Sequence, residues 1–333
     1  MSWQASCLLV LQNYRKIMWL IKSEEETDEK FGKRPEDRTV EELIKYSVAI
    51  VDKHPGPTSH QITDWIKKMF GLNKAGHSGT LDPAVSGVLP VALENGTKIM
   101  PMLVGLDKTY VGVMHLHQEV DEKILRETVA RFVGKIKQLP PVKSAVARKI
   151  REREIHFFNI LEIDGKNVLF KVGCEAGTYI RKLVHDVGME IGGAHMSELR
   201  RIEVGEFTEK NSHSVVSIKD AMEFWKEGDE KPIRNILIPI ENAIENNKKI
   251  FVKDSAISTI VNGSPVYPNG ITKIQEEIEA GELIGIFSLK NELVAIGIAK
   301  MPSEEMLKRK KGIAVRTDRV IMEKGIYPSY PQG

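Results

Sequence analysis

Residues Gly76-His77-Ser78-Gly79-Thr80-Leu81-Asp82-Pro83, followed by Gly87, set one carboxylate in a glycine-rich stretch where sharp backbone turns cost little. Such a bend can aim Asp82 at a ligand; equally, the side chain can cap its own turn. Arg181 poses a second question. Thr178 predicts the start of a helix, and a guanidinium in the first helical turn meets the positive end of the dipole. That placement asks for an anion, either a carboxylate or a phosphate, unless the side chain is simply solvated. Tyr110 opens a strand-like segment and Tyr179 stands beside Arg181; each ring serves core packing or stacks on a base.

Lys143, Arg148, Lys149, Arg151 and Arg153 crowd one segment behind Pro140-Pro141, offset only in part by Glu152 and Glu154. Lys308, Arg309, Lys310 and Lys311 form a second basic block. Each is a solvated face or an RNA-binding loop. His185 and Asp186 are neighbours on a helix and do not face each other, and no G-x-S-x-G elbow supplies a nucleophile. Metal-ligand spacing and phosphate- or dinucleotide-binding loops are missing as well. The chemistry therefore has to run on a carboxylate, with no metal and no cofactor.

The elements that must position these residues are legible in part. The run Val48 to Asp52 is short and apolar, as a buried strand should be, and His54-Pro55-Gly56-Pro57 turns after it. Thr58 and Gln61 have capping-box spacing ahead of Ile62, Trp65, Ile66, Met69 and Phe70, and Gly71 closes that helix. A second helix starts at Asp121, carries Ile124, Leu125, Thr128, Val129, Phe132 and Val133 on one stripe, and ends at Gly134. Thr109 to Leu116 reads as a strand. His156 to Ile163 and Asn167 to Glu175 flank the hairpin signal Asp164-Gly165. After Thr178, Ile180, Leu183, Val184, Val187 and Ile191 recur at helical spacing. Strands adjoin helices without a βαβ rhythm, which predicts an α+β domain with a mixed or antiparallel sheet.

Between Ala221 and Lys249 the chain turns polar, with Pro232 and Pro239 as breakers, and a second domain is expected just beyond. There Asp254 is expected to cap a short helix ending at Gly263. Leu283 to Leu289 and Leu293 to Ala299 flank Lys290-Asn291 as a hairpin, and Ile313 to Val315 with Val320 to Met322 add short strands. The result is a small β-rich module. Glu24 to Arg38 is too charged to order itself by burial and reads as a tail or wrapping segment.

Lys and Arg total 48 against 46 Asp and Glu, a formal charge of +2, so the protein is not uniformly basic although local basic faces remain open to nucleic acid. The 41% hydrophobic and 28% charged composition belongs to an ordinary globular chain and excludes wholesale disorder. Cys7 and Cys174 cannot build a disulfide framework, which favours a reducing, cytoplasmic setting. The apolar stretch near the start is interrupted by Gln12, Asn13, Arg15 and Lys16, so neither a membrane span nor a secretory signal is expected. Met18 is a candidate initiator, the preceding residues then being an over-extended start.

Taken together, these segments resemble the TruB and dyskerin family of RNA pseudouridine synthases, over most of the chain from about Val48 to Met322. Asp52-Lys53 followed by Pro55-Gly56-Pro57-Thr58-Ser59-His60 resembles the family's first motif, and Gly76 to Pro83 with Gly87-Val88-Leu89 its catalytic motif. Lys108-Thr109-Tyr110, Gly177-Thr178-Tyr179-Ile180-Arg181 and Leu199-Arg200-Arg201 follow in order. His54 departs from the proline that relatives usually carry after the lysine, which would leave that loop less stiff.

The resemblance implies Asp82 as nucleophile, Tyr110 stacking on the target base and serving in proton transfer, and Arg181 paired with Asp82. Leu199 would wall the pocket, His77 would help hold the strand with its base turned out, and Lys53 and Tyr179 would join them in binding substrate. Breaking an N-glycosidic bond, holding the uracil, rotating it and rejoining it through carbon needs a carboxylate that stays ionised in a dry pocket, and a nearby guanidinium favours that form.

It also implies a domain plan. An N-terminal tail at 1–38 would pack on the PUA domain, with a catalytic domain at 39–247, a PUA domain at 248–326 and a short tail at 327–333. The PPVKSAV segment at Pro140 to Val146 and the full PUA module are closer to the dyskerin branch, without the Lys-rich extension of eukaryotic members, so an archaeal H/ACA ribonucleoprotein is expected. Its guide RNA would select uridines mainly in ribosomal RNA, with the tRNA T-loop uridine as a further substrate. The protein partners would be a small zinc-ribbon or Nop-type protein, a Gar-type protein and a kink-turn-binding ribosomal-type protein. A stand-alone tRNA T-loop synthase and a non-catalytic RNA-binding scaffold are the competing readings.

Overall fold

In this computed structural model, which describes residues 18–140 and 149–329, the apolar run after Tyr46 becomes the strand Ser47–Lys53, buried along nearly all its length. A strand covered on both faces reads as a continuous apolar run, and Val48, Ala49, Ile50 and Val51 supply one. It lies in a ten-stranded sheet whose order is Leu237–Pro239, Ser47–Lys53, Ser86–Leu93, Ala194–Val204, Lys108–Leu116, Asn167–Cys174, Arg151–Asp164 and Gly134–Gln138. Ala75–His77 pairs with Ser86–Leu93, and Phe207–Thr208 with Ala194–Val204. These pairings are antiparallel except at the centre, where Ser86–Leu93 and Ala194–Val204 run parallel with Gly87 opposite Arg201. The class is the α+β, mixed-sheet one that the sequence predicts.

Helix Ser59–Met69 carries the full capping box of Thr58 and Gln61 and buries Ile62 and Ile66. Trp65, expected on the same stripe, is more exposed and stacks on His54 instead. Helix Glu122–Arg131 buries Leu125, Thr128 and Val129, whereas Ile124 and Val133 face outward, so its apolar stripe is narrower than the spacing suggests. The hairpin at Asp164-Gly165 forms with Asp164 opposite Asn167 and Gly165 at φ +54°.

Within the polar stretch after Ala221, helices Val215–Lys226 and Lys231–Ile236 and strand Leu237–Pro239 belong to the first unit, because Ile233, Ile236 and Leu237 reach its core. Two expectations change. Thr178 does not cap its helix. Tyr179 is the cap residue of Ile180–Glu190, and the Thr178 hydroxyl donates to the Glu175 carbonyl. Asp254 opens helix Asp254–Val261 but accepts from the Thr27 hydroxyl and the Asp28 amide rather than capping it.

The chain divides at Thr39 and Ala243 into a unit of those bounds and a second unit that unites the residues up to Arg38 with those from Ile244 onward. Six strands of the second unit order as Trp19–Ile21, Ile271–Gln275, Lys249–Val252, Leu283–Phe287, Leu293–Ala299 and Val315–Val320. Val315–Val320 is one strand where two short ones, Ile313 to Val315 and Val320 to Met322, were expected, since its pairing with Leu293–Ala299 continues through polar Arg316 to Arg319. The charged segment before Arg38 is ordered by borrowed partners: Glu292 accepts from the Lys33 amide and the Tyr327 hydroxyl, and Lys290 donates to the Phe31 carbonyl. Among the described residues, no helix is long and apolar enough to cross a membrane.

Candidate active site

The Asp82 bend is held from two sides. Ser59, in the first turn of helix Ser59–Met69, accepts from the Leu81 amide at 2.8 Å and donates to the Leu81 carbonyl at 3.1 Å. Lys53 reaches the other side, its Nζ lying 3.1, 3.0 and 2.7 Å from the carbonyls of His54, Pro83 and Val85. An ammonium has three protons, so this one is spent. Lys53 is fully buried, and the role expected for it in touching substrate is corrected: it braces the loop that carries Asp82. Burial lowers its pKa, an effect Asp82 opposes.

Asp82 itself is exposed, and its Oδ2 lies 2.7 Å from Arg181 Nη2, in the first turn of helix Ile180–Glu190. The anion that Arg181's position asks for is therefore a carboxylate. Both side chains are more than half exposed, so the pair adds little to the stability of the free protein. Its strength would grow once a ligand displaces water.

Tyr110 is buried against the same apolar cluster as Leu81, Val85 and Ile180, with Leu199 packed at its edge. It stands directly opposite Arg201, beside a bulge between Thr109 and Tyr110, so both side chains share one face of the sheet. Burial raises the Tyr110 pKa, which Arg201 partly counters. His77, on strand Ala75–His77, packs edge-on to His60 at 4.9 Å; burial, His60 and Arg201 hold its pKa down to about 4. Its buried Nδ1 has no partner among the described residues. Tyr179 is half-buried, its backbone held at both ends by the Gln138 amide.

The basic residues divide. Lys143 and Arg148 lie outside the described residues. Lys149 is exposed, but Arg151 and Arg153 belong to strand Arg151–Asp164 rather than a loop, because they pair with Gln138 and Ile136 across the sheet edge. Arg153 is also tied to Glu175 at 3.6 Å. In the second unit Lys308, Arg309, Lys310 and Lys311 are all exposed at the end of helix Ser303–Lys308.

Sequence reasoning missed three residues. Arg201 is 1% exposed, with Nε donating to the Val88 carbonyl at 2.8 Å and Nη2 to that of Gly79 at 3.1 Å, so it fastens the loop that leads to Asp82 to the sheet. Arg200, on the opposite face, grips both Asp52 oxygens at 2.9 and 3.1 Å. Lys108 is buried against the carbonyls of Val104 and Leu106, and burial brings its pKa down to about 8. The tandem pairs Asp52-Lys53 and Arg200-Arg201 were the available signal: adjacent strand residues face opposite ways, so one member of each must point inward.

Comparison with known proteins identifies the family. Residues 67–180 match the TruB family pseudouridylate synthase N-terminal domain, 181–245 the tRNA pseudouridylate synthase B C-terminal domain, 248–321 the PUA domain and 4–63 the DKCLD (NUC011) domain. The chain is 50% identical over 311 residues to a Methanopyrus kandleri protein named "Probable tRNA pseudouridine synthase B", covering 93% of this chain and 92% of that one. A protein of the same name from Nanoarchaeum equitans is 48% identical over 327 residues, covering 98% and 93%. Among solved structures, a chain of a Cbf5-Nop10-Gar1 complex superposes with a TM-score of 0.90 at 46% identity, covering 95% of this chain and 98% of that one. A chain of an H/ACA RNP bound to a substrate RNA containing 2'-deoxyuridine gives 0.88 at 44% identity, covering 95% and 98%. With its sheet, its Asp82 bend and relatives this similar along nearly the whole chain, the protein belongs to the TruB family of pseudouridylate synthases, isomerases that convert uridine to pseudouridine in RNA.

Proposed function

We propose that this chain is the catalytic subunit of a guide-dependent pseudouridine synthase, acting on ribosomal RNA uridines that an H/ACA guide RNA selects by base pairing. The observation that carries the catalytic part is the contact of 2.7 Å between Asp82 and Arg181, beside buried Tyr110. The target nucleotide must leave its stack, at a cost of a few kcal/mol, and stacking on Tyr110 offsets roughly 1 to 3 kcal/mol of it. With the base seated, Asp82 acts as nucleophile while Arg181 keeps it charged, and the bond its carboxylate makes to the nucleoside breaks again before product leaves, which restores the carboxylate. The N1–C1′ bond breaks, the uracil turns, and C5 bonds to C1′. C5 then gives up its proton, with Tyr110 placed to help in the transfer, and N1 ends protonated, so the isomerisation balances without a co-reactant. Leu199 closes the apolar wall, while His77 and Tyr179 line the approach of the strand.

The catalytic domain is assigned to residues 39–247 and the PUA domain to 248–326, with the N-terminal segment packed on the latter. The pairing of Trp19–Ile21 with Ile271–Gln275 supports that last point. Likeness to chains solved in Cbf5-Nop10-Gar1 and H/ACA RNP assemblies supports the guide RNA, a Nop-type protein and a Gar-type protein as partners, with a kink-turn-binding protein completing the particle. Lys149, Arg151 and the Lys308 to Lys311 block are assigned to RNA. The free, buried thiol of Cys174 suits a reducing compartment, and we assign the protein to the cytoplasm of an archaeon.

The test is reconstitution with a guide RNA, with and without the partners, scored by mapping pseudouridine on a guide-paired ribosomal target. Product only when guide and target are complementary is expected. The names of the curated relatives specify tRNA and favour it as a second substrate. Turnover on naked tRNA that equals or exceeds the guided rate would overturn the guide-dependent assignment.

A further inference from the structure

The basic block Lys308 to Lys311 leaves the end of the short helix Ser303–Lys308, and that helix is tied at both ends. At its start, Ser303 Oγ donates to the Gln275 carbonyl at 2.7 Å and accepts from the Ile278 amide at 2.8 Å. At its end, Lys22 Nζ lies 2.7, 2.6 and 2.8 Å from the carbonyls of Met306, Leu307 and Arg309. The last carbonyls of a helix have no partner within it, and an ammonium offers three protons, so donors and acceptors match in number. Lys22 directly follows strand Trp19–Ile21. That strand pairs with Ile271–Gln275, the same strand whose Gln275 carbonyl holds Ser303, and the Lys22 amide donates to the Thr272 carbonyl at 2.8 Å. One edge of the sheet thus fixes both the start and the end of the helix. A lysine near this block would ordinarily repel it, and Lys310 does act on Lys22. The three carbonyls are what hold the ammonium there.

We propose that Lys22 is a positioning residue for RNA binding: by capping the carbonyls at the end of helix Ser303–Lys308 it sets the direction in which Lys308 to Lys311 meet the RNA backbone. The inference rests on the reading of the second unit as an RNA-binding module. It assigns Lys22 no phosphate of its own, because its protons are already engaged.

The distinguishing measurement is the affinity of the full chain for an H/ACA guide RNA across a range of salt, together with hydrogen exchange of the free protein. Lys22→Met is expected to weaken binding about 3- to 10-fold at fixed salt, leave the salt slope unchanged, and speed amide exchange across residues 303–312. Lys22→Arg, which can still donate to carbonyls, should recover part of the loss. A slope lower by about 1 without faster exchange would make Lys22 a phosphate contact and overturn the inference, as would unchanged affinity. The control is Lys310→Ala with Lys311→Ala, expected to lower the slope. If that double variant binds as the parent does, the RNA role of the block fails and the inference falls with it. Exchange in Lys22→Met would still report separately whether the cap orders the segment.

Discussion

Lys53 Nζ donates to the carbonyls of Pro83 and Val85, which follow Asp82 in the bend from which it reaches Arg181, so a fully buried charge in one strand holds an exposed charge in place. The geometry of the pair depends on this brace, because Pro83 immediately follows Asp82 and neither Asp82 nor Arg181 is packed tightly enough to position itself. Lys53→Met is expected to lower stability by about 2 kcal/mol, through carbonyls left without donors, and to slow turnover at least 10-fold. Guide-RNA affinity should stay within about 3-fold. Chemical denaturation and single-turnover assays on the full chain check this; intact turnover would show that the bend needs no brace.

Arg181 separates stability from chemistry. An ion pair this exposed contributes under about 1 kcal/mol, so Arg181→Met should barely move the melting temperature. In the closed complex the same charge acts without competing water, and loss of roughly 100-fold in turnover is expected. A variant that melts much earlier than the parent would mean the pair is structural.

Asp82→Asn should abolish pseudouridine while leaving RNA affinity nearly intact, since the change is isosteric and the side chain is exposed. Tritium release from uridine-labelled RNA gives the rate. Residual turnover above about 1% of the parent would remove the carboxylate from the nucleophile's role.

His77 gives a pH signature. Its pKa is about 4 in the folded protein, from 6.5 in a free chain, so the unfolded state takes up the proton first. Its contribution to stability is therefore present above about pH 6.5 and is lost as pH falls toward 4, by on the order of 2 to 3 kcal/mol. His77→Gln should flatten that part of the profile. Denaturant midpoints measured from pH 7 to 4 decide it, an unchanged slope being the contrary result.

Among the described glycines in the strands of its sheet, Gly87 leaves a side chain the least room. A Cβ there would sit 2.1 Å from the Arg201 carbonyl oxygen, on a backbone at φ +107°. Gly87→Ala is expected to cost at least about 3 kcal/mol and to disturb Arg201 with it. Soluble, fully active Gly87→Ala protein would contradict this.

Much of the fold follows from local pattern. The Thr58 and Gln61 cap, the hairpin at Asp164-Gly165 and the buried strand after Tyr46 each depend on residues close in the chain, and each forms as expected. Errors arose where a partner came from far away. Asp254 looks like a helix cap until the N-terminal segment supplies Thr27 and Asp28, and Val315 to Val320 looks like the ends of two short strands until Leu293–Ala299 pairs along all of it. At the site, the motifs that hold Asp82, Tyr110 and Arg181 carry the family resemblance from which the chemistry was expected, but that resemblance also put Lys53 against substrate, where the structure buries it, and gave Arg201 no role.

By itself, then, the sequence determined which local elements form, because periodicity and turn residues are carried by neighbours in the chain, and its motifs carried the family resemblance from which glycosidic chemistry was expected. Only the tertiary structure decided which charges face water and which are consumed. Lys22, Lys53 and Arg201 look like surface cations in one dimension, and each instead satisfies backbone carbonyls remote in sequence. Burial of a charge depends on what packs around it in space, and local spacing does not encode that.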